Sequence, residues 1–188
     1  MTRRTQQGFT LVEVMVVVAI LAILASLAVV SVRPRTSAVD AGHQFRALVD
    51  QASREAVRAG AVRPDVATAL GLRARTQVVA QMNGDSLTFY AQRLVEDAAP
   101  ATTATWQTVD TFTLPSWVRA AAYSSQVGGY SSIALATDWD SFAISCFPDG
   151  TCERKTVFFE SSTGATSTRQ SRVAVLPVAS AQVIGTWN

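Results

Sequence analysis

An unbroken apolar segment near the N-terminus constrains this chain more than any other feature. Residues 9–32 read FTLVEVMVVVAILAILASLAVVSV, and Glu13 is the only charged residue among them. As a helix, about 24 residues extend about 36 Å, whereas the apolar core of a bilayer is about 30 Å thick. A carboxylate inside such a segment is costly unless it is paired, so Glu13 is a candidate functional residue.

The residues before this segment predict its orientation in a membrane. Residues 1–8 contain Arg3 and Arg4 and no acidic residue. Positive charge is retained on the cytoplasmic side, so we expect a cytoplasmic N-terminus and an extracytoplasmic domain after Val32. An ordinary secretory signal, cut near the small residues 25–28, is the alternative. That alternative does not account for the acid at the start of the apolar run or for its continuation to Val32.

The junction Gly8-Phe9-Thr10-Leu11-Val12-Glu13 resembles the class III signal of type IV prepilins and type II secretion pseudopilins. The resemblance implies that a prepilin peptidase cleaves between Gly8 and Phe9 on the cytoplasmic side and that Phe9 is then N-methylated. It also implies that the hydrophobic helix stays in the mature protein. In this family, the glycine before the cut and the acid five residues into the mature chain are the defining positions.

The resemblance gives Glu13 a role in assembly. Cleavage creates a cationic amine at Phe9, one helical turn before Glu13. In a bundle of such helices, the carboxylate of one subunit can neutralise the amine of its neighbour in a medium where an unpaired charge is costly. The alternative is that Glu13 lies at the level of the lipid headgroups and only caps a helix N-terminus.

Charge argues against nucleic acid as the main partner. The chain has 16 basic and 14 acidic residues, and loss of Arg3 and Arg4 would leave 14 of each. Phosphate binding requires clustered positive charge, which a nearly neutral domain lacks. Arg154, Lys155, Arg169 and Arg172 form the only late basic cluster, and acidic residues interleave with it.

The remaining sequence predicts an α+β fold. Apolar residues from Phe45 to Ala56 recur at helical spacing, which predicts an amphipathic helix from about Thr36 to Ala59 that ends at Gly60. We expect it to continue the apolar segment as one long helix, with Pro34 as a kink or restart. The predicted whole is a pilin-like ladle, in which this long N-terminal helix packs on a C-terminal antiparallel β-sheet domain. Its divisions are a cleaved leader (1–8), a transmembrane or filament-core half-helix (9–32), an amphipathic half-helix (33–60) and a β-rich extracytoplasmic domain (61–188).

Beyond Pro64, short β-branched runs alternate with turn residues, as in an antiparallel sheet. Residues 76–82 and 86–95 predict a hairpin in which Asn83-Gly84 supplies the positive φ angles of the turn. Residues 96–105 and 120–131 predict loops. Further strands are predicted at 106–114, 132–136, 141–147, 155–160, 172–178 and 182–187.

The two cysteines predict a disulfide. Cys146 and Cys152 flank Phe147-Pro148-Asp149-Gly150-Thr151, a turn sequence between two predicted strands. Outside the cytoplasm, such a pair most simply closes a hairpin. A metal or redox role is the alternative. However, two thiols and the distant His43 do not form a closed ligand set, and the spacing is not that of a thioredoxin-like motif.

Enzyme motifs do not stand out. The sequence has no Gly-rich phosphate loop, no zinc-ligand spacing and no nucleophile elbow, so we expect no catalytic activity, metal or cofactor. His43 is predicted to face solvent on its helix. Calcium binding by Asp138 and Asp140 with Asp149 or Glu153 is a weaker alternative to solvated turn residues. The four tryptophans are predicted to be core or interface anchors.

Residues 51–58 and the later segments Trp106-Gln107-Thr108-Val109 and 147–151 resemble H-type minor pseudopilins and minor pilins of the FimT and FimU kind. The resemblance implies a structural subunit of a type IV pilus or type II secretion pseudopilus, in its tip or initiation complex. The implied partners are the prepilin peptidase, other pilin subunits, an inner-membrane platform and, indirectly, an assembly ATPase. The implied location is the bacterial inner membrane, with a periplasmic domain. The alternatives are a DNA-binding minor pilin for DNA uptake and an unrelated β domain on a membrane anchor.

Overall fold

The computed structural model describes residues 11–31, 37–96, 103–161, 170–176 and 180–184. Contacts divide the chain into a first unit, Met1–Arg35, and a second unit, Thr36–Asn188. The first unit contains helix α1 (Leu11–Ser31), whose sequence is apolar apart from Glu13, Ser26 and Ser31. Every side chain from Leu11 to Leu24 is exposed, and all of them except Glu13 are apolar, so this part of the helix has an apolar surface on all sides.

No helix within the described residues is both long and apolar enough to cross a membrane. The membrane-spanning role predicted for residues 9–32 therefore stays a prediction.

Helix α2 (Ala38–Ala59) begins with its own cap. The Ser37 hydroxyl accepts a hydrogen bond from the Asp40 amide at 3.2 Å, and the Asp40 carboxylate accepts one from the Ser37 amide at 2.8 Å. This reciprocal pair satisfies two amide groups that would otherwise lack partners. At the other end, Gly60 (φ 73°) donates its amide to the Ala56 carbonyl. The predicted amphipathic helix and its end at Gly60 are confirmed.

Of the two predicted courses of the chain near Pro34, a kink or a restart, the described residues fit a restart, because α2 has its own N-cap. Ser37 has extended backbone (φ −83°, ψ 167°), which interrupts helical hydrogen bonding immediately before α2. Pro34 lies outside the described residues. The structure also adds a short helix α3 (Pro64–Leu70), which the sequence reading assigned to the β region. Pro64 is at its first turn and Gly71 (φ 66°) follows its last residue, an arrangement typical of helix ends.

The second unit contains two antiparallel sheets in its described part. The first sheet has the order β3-β2-β1-β5 and the second has the order β4-β6-β7-β8. The strands are β1 (Thr76–Asn83), β2 (Ser86–Glu96), β3 (Ala104–Thr113), β4 (Val118–Ser124), β5 (Ala143–Cys146), β6 (Lys155–Ser161), β7 (Gln170–Leu176) and β8 (Ser180–Ile184). The predicted α+β class with antiparallel strands is thereby confirmed.

The core of this unit lies where α2 packs against both sheets. Phe45 of α2 is fully buried, and its ring centroid lies 4.8 Å from that of Phe89 in the first sheet and 5.7 Å from that of Phe159 in the second. Aromatic contacts of this kind add to the free energy gained by burial. The apolar stripe of α2 therefore joins the two sheets into one core.

Three local predictions are corrected. The hairpin is present, but Asn83 is the last residue of β1 and pairs with Ser86, so the turn consists of Gly84 (φ 62°) and Asp85. Residues 120–131 are not all loop, because β4 extends to Ser124. Residues 132–136 form no strand: only Ala136 pairs, with Tyr123, while Ser132 closes a turn onto Gly129.

Candidate assembly helix and disulfide loop

The predicted cleavage residues Gly8 and Phe9 lie outside the described residues. Glu13 lies in the first turn of α1 and is exposed. A carboxylate is stabilised there by the positive end of the helix dipole. Its predicted pairing with the amine of another subunit stays a prediction.

The surface around Glu13 is apolar. Leu11, Val12, Met15 and Val16 have exposed fractions of 77%, 68%, 65% and 52%. Soluble monomers rarely expose a continuous apolar surface of this kind, and such surfaces mark contacts with protein or membrane. The first turns of α1 therefore combine one carboxylate with an apolar contact surface.

The predicted disulfide between Cys146 and Cys152 is present. The turn between them is tight: the Gly150 amide donates to the Phe147 carbonyl at 2.9 Å, and the Phe147 amide donates to the Thr151 carbonyl at 2.7 Å. It closes a short antiparallel bridge between Cys146 and Cys152, but it does not join two strands of one sheet. The strand before it, β5, belongs to the first sheet, whereas the next strand, β6, belongs to the second. The disulfide therefore lies at the crossover between the sheets.

Asp149 organises the tip of this disulfide loop (residues 146–152). Its carboxylate accepts hydrogen bonds from the Thr151 hydroxyl at 2.7 Å and from the Thr151 amide at 2.9 Å. These bonds favour the charged form and lower the pKa of Asp149 below its usual range. The carboxylate is thus used within the loop.

A buried hydrogen bond connects the disulfide loop to α2. The Ser53 hydroxyl donates to the Gly150 carbonyl at 2.7 Å in a buried hydrogen bond. Cys146 is fully buried, Cys152 is 4% exposed, and both belong to the main core. Pro148 and Asp149 remain exposed at the surface. The loop is therefore part of the core on one side and solvent-facing on the other.

A charged cluster that sequence reasoning missed connects α2, α3 and the first sheet. The Glu96 carboxylate, 4% exposed, accepts hydrogen bonds from the Arg75 side chain at 2.9 Å and from the Arg63 amide at 3.1 Å. Arg75 also donates to the Ala59 carbonyl in the last turn of α2 at 2.7 Å. The Arg75 hydrogen bond is the main cause of a lowered pKa at Glu96, which burial opposes.

The basic residues suggested for DNA contact are partly used inside the domain. The Lys155 ammonium lies 5.4 Å from the centre of the Tyr123 ring. Arg172 donates to the Gly128 carbonyl at 2.8 Å, and Arg169 lies outside the described residues. Guanidinium and ammonium groups engaged in this way are less available to a phosphate backbone. The structure gives the DNA alternative no support.

The remaining candidate residues from the sequence are His43, the tryptophans and the acidic residues considered for metal binding. His43 is exposed on α2, as predicted. Trp139 packs against Phe89 and Tyr123 with ring centroids 5.9 Å and 5.1 Å apart. Within the described residues, no group of three or more His, Cys, Asp or Glu side chains is arranged to hold a metal ion.

Comparison with known proteins identifies the N-terminal segment. Residues 3–29 match the family described as a prokaryotic N-terminal methylation motif. This match includes Gly8, Phe9 and Glu13, and it supports a subunit of the type IV pilin or pseudopilin kind. Comparison with curated proteins and with solved structures gave no significant match.

Proposed function

We propose that this protein is a pilin or pseudopilin subunit that acts by assembly and not by catalysis. The observation that carries the proposal is the methylation motif at residues 3–29, with Gly8 and Phe9 at the expected junction and Glu13 five residues into the mature chain. The exposed apolar surface of α1 around Glu13 supports it, because that surface needs a partner.

The proposed maturation starts at the cytoplasmic face of the inner membrane. A prepilin peptidase cuts after Gly8, the new amine of Phe9 is methylated, and residues 9–32 hold the protein in the membrane. Arg3 and Arg4 keep the N-terminus in the cytoplasm, so the second unit folds in the periplasm. Disulfide formation between Cys146 and Cys152 fits an oxidising compartment.

The proposed assembly step transfers the apolar helix from lipid into a filament. There, Glu13 of an incoming subunit pairs with the amine at Phe9 of a neighbour, and loss of one partner would leave an uncompensated charge in an apolar environment. An inner-membrane platform and an assembly ATPase drive this step. The resemblance of residues 51–58 to H-type minor subunits favours a place in a tip or initiation complex, in either a pilus or a secretion pseudopilus.

Replacement of Glu13 tests the proposal. In a host that has the assembly machinery, we expect Glu13→Val to be cleaved and retained in the membrane but absent from sheared filaments or from crosslinked subunit complexes. Met15→Val, a neutral change two residues further along the same helix, is the matched control and should assemble normally. Normal assembly of Glu13→Val would contradict the proposed role, because a simple membrane anchor tolerates an apolar residue at this position.

A further inference from the structure

Three edge strands of the two sheets, β4, β5 and β3, differ in how they are covered within the described residues. At the edge of the second sheet, β4 is covered by Ala136: the Tyr123 amide donates to the Ala136 carbonyl at 2.9 Å and the Ala136 amide returns a bond to the Tyr123 carbonyl at 2.8 Å. An uncovered edge is a template for pairing with another chain. The chain thus covers this edge at Tyr123 with its own loop.

The β5 edge of the first sheet is closed in the same way by the disulfide loop. Cys152 pairs with Cys146, and the Glu153 amide donates to the Ser145 carbonyl at 2.8 Å. The Ser145 amide donates to the Glu153 carboxylate at 3.1 Å. Both backbone groups of Ser145 are therefore occupied, which blocks pairing with another strand at this end of β5.

The opposite edge of the first sheet, strand β3, is closed over one half only. Val109 is an extra residue in β3, since Asp110 pairs with Ala91 and Thr108 pairs with Gln92. Next to this bulge, the Thr111 amide donates to the Asp110 carboxylate at 2.8 Å. Bulges and inward-turned charges are devices that block an edge. The bulge and the occupied Thr111 amide therefore disfavour strand pairing along the half of β3 after Val109.

Strand register fixes which groups of the other half point outward. The Leu94 amide donates to the Arg75 carbonyl at 2.7 Å, so Leu94 directs its backbone groups toward β1. Its partner on β3, Trp106, is consequently in a non-hydrogen-bonded pair, with its N–H and C=O directed away from the sheet. Ala104 and Thr108, each two residues away, have the same orientation. Within the described residues, the outer side of these three has no backbone partner.

The outward N–H and C=O groups of Ala104, Trp106 and Thr108 are spaced symmetrically about Trp106. Two copies of this half-strand can therefore pair with each other. In an antiparallel pair of two copies, Trp106 faces Trp106, and Ala104 of each copy faces Thr108 of the other. This register uses every outward group and forms about six hydrogen bonds. Residues 103–109 carry no charge, so no like charges are brought together, and the two Trp106 rings meet on one face.

We propose that Ala104–Thr108 is a pairing edge for a second copy of this chain, in the antiparallel register centred on Trp106. The first sheet of one copy and the first sheet of the other would then form one continuous antiparallel sheet. A contact of about five residues a side is small, so the pair is weak in dilute solution and is best detected by covalent trapping. The inference does not depend on the proposed function, because it rests only on the second unit.

Cysteine crosslinking tests both the partner and the register. In the proposed register Thr105 of one copy lies opposite Gln107 of the other, in a close pair whose spacing allows a disulfide. We expect full-length Thr105→Cys and Gln107→Cys chains, co-expressed with different tags and oxidised in mild detergent, to form a mixed dimer. Thr111→Cys with Gln107→Cys is the matched control on the same strand, and this pair should remain monomeric.

A proline variant tests whether the dimer uses the edge hydrogen bonds. Thr108→Pro removes an outward N–H but no bond to β2, so the sheet is retained and the mixed dimer should be lost. Retention of the Cys146–Cys152 disulfide, read by a mobility shift on reduction, serves as the folding check. Equal crosslinking in the Thr111→Cys control, no mixed dimer, a dimer that survives Thr108→Pro, or attachment to a different protein would overturn the proposal.

Discussion

Replacement of Glu96 by glutamine is the perturbation with the clearest expected cost. The Glu96 carboxylate receives bonds from Arg75 and from the Arg63 amide, and Arg75 in turn holds the last turn of α2 through the Ala59 carbonyl. Glutamine has nearly the same shape as glutamate but no charge. Its side-chain NH₂ group would face the Arg75 guanidinium, which is also a hydrogen-bond donor. Glu96→Gln therefore weakens the connection between α2, α3 and the end of β2.

The size of the effect follows from burial. Hydrogen bonds to a charged group contribute about 1.5–3 kcal/mol, and breaking a fully buried ion pair costs about 3–5 kcal/mol. Glu96 is 4% exposed, but the side chains of Arg75 and Arg63 are 24% and 31% exposed and can regain water. We therefore expect a loss of about 2 kcal/mol in the free energy of unfolding, discounted for solvent screening of the two arginines.

The pH dependence of this difference has a defined sign. Because the Arg75 hydrogen bond lowers the pKa of Glu96 in the folded state, the unfolded chain takes up the proton first as the pH falls. The stabilisation is complete above the unfolded-state pKa, about 4.3, and is lost as the pH falls through the folded-state pKa. The difference between the natural chain and Glu96→Gln should be constant near neutral pH and shrink below about pH 4.

Urea unfolding followed by tryptophan fluorescence measures both effects, because Trp139 packs against the core. Glu160→Gln is the matched control: Glu160 also lies in a strand and pairs with an arginine, but Arg119 is 72% exposed. An exposed pair of this kind is worth about 0–1 kcal/mol. If Glu96→Gln costs no more than Glu160→Gln, or if its cost does not diminish in acid, the Glu96 cluster does not stabilise the fold as argued.

Three further variants probe the disulfide loop and the core. Ser53→Ala removes the buried hydrogen bond to Gly150 and should lower the free energy of unfolding by about 1 kcal/mol in urea unfolding, and an unchanged midpoint would show that the bond is neutral. Replacement of both Cys146 and Cys152 by alanine should cost about 2 kcal/mol on the loop-entropy estimate, with no change on addition of reductant to the variant. Phe45→Ala should cost about 3–5 kcal/mol because it empties the junction of both sheets, and a loss below about 1 kcal/mol would place the core elsewhere.

Local signals in the sequence predicted the elements that carry them. The β1–β2 hairpin was predicted because Gly84 interrupts two alternating runs, and the bounds of α2 follow from an apolar stripe with Gly60 at its end. The turn was nevertheless shifted by one residue. Asn83 and Gly84 both tolerate positive φ, so the register depends on which residues of the two strands pair.

Elements that depend on tertiary pairing were missed. Strand β4 contains three consecutive alanines, 120–122, which have no β preference; the strand forms because it pairs with Phe158 and Phe159 of β6. Residues 132–136 contain Ile133 and Leu135 and have the composition of a strand, but only Ala136 finds a partner.

The two parts of the candidate site differ in the same way. Gly8, Phe9 and Glu13 are a contiguous motif and could be recognised from sequence, as the match over residues 3–29 agrees. The Glu96 cluster and the half-open β3 edge could not be predicted. Each depends on which residues from distant segments meet, and no residue spacing within the sequence carries that information.

The central claim is that the chain is processed as a prepilin, and intact-mass and N-terminal analysis of the full-length protein tests it most directly. The protein is expressed with and without its prepilin peptidase. The account predicts peptidase-dependent loss of Met1–Gly8 and one added methyl group at Phe9. An uncut chain in the presence of the peptidase, or a mature N-terminus near Ala28, would contradict it.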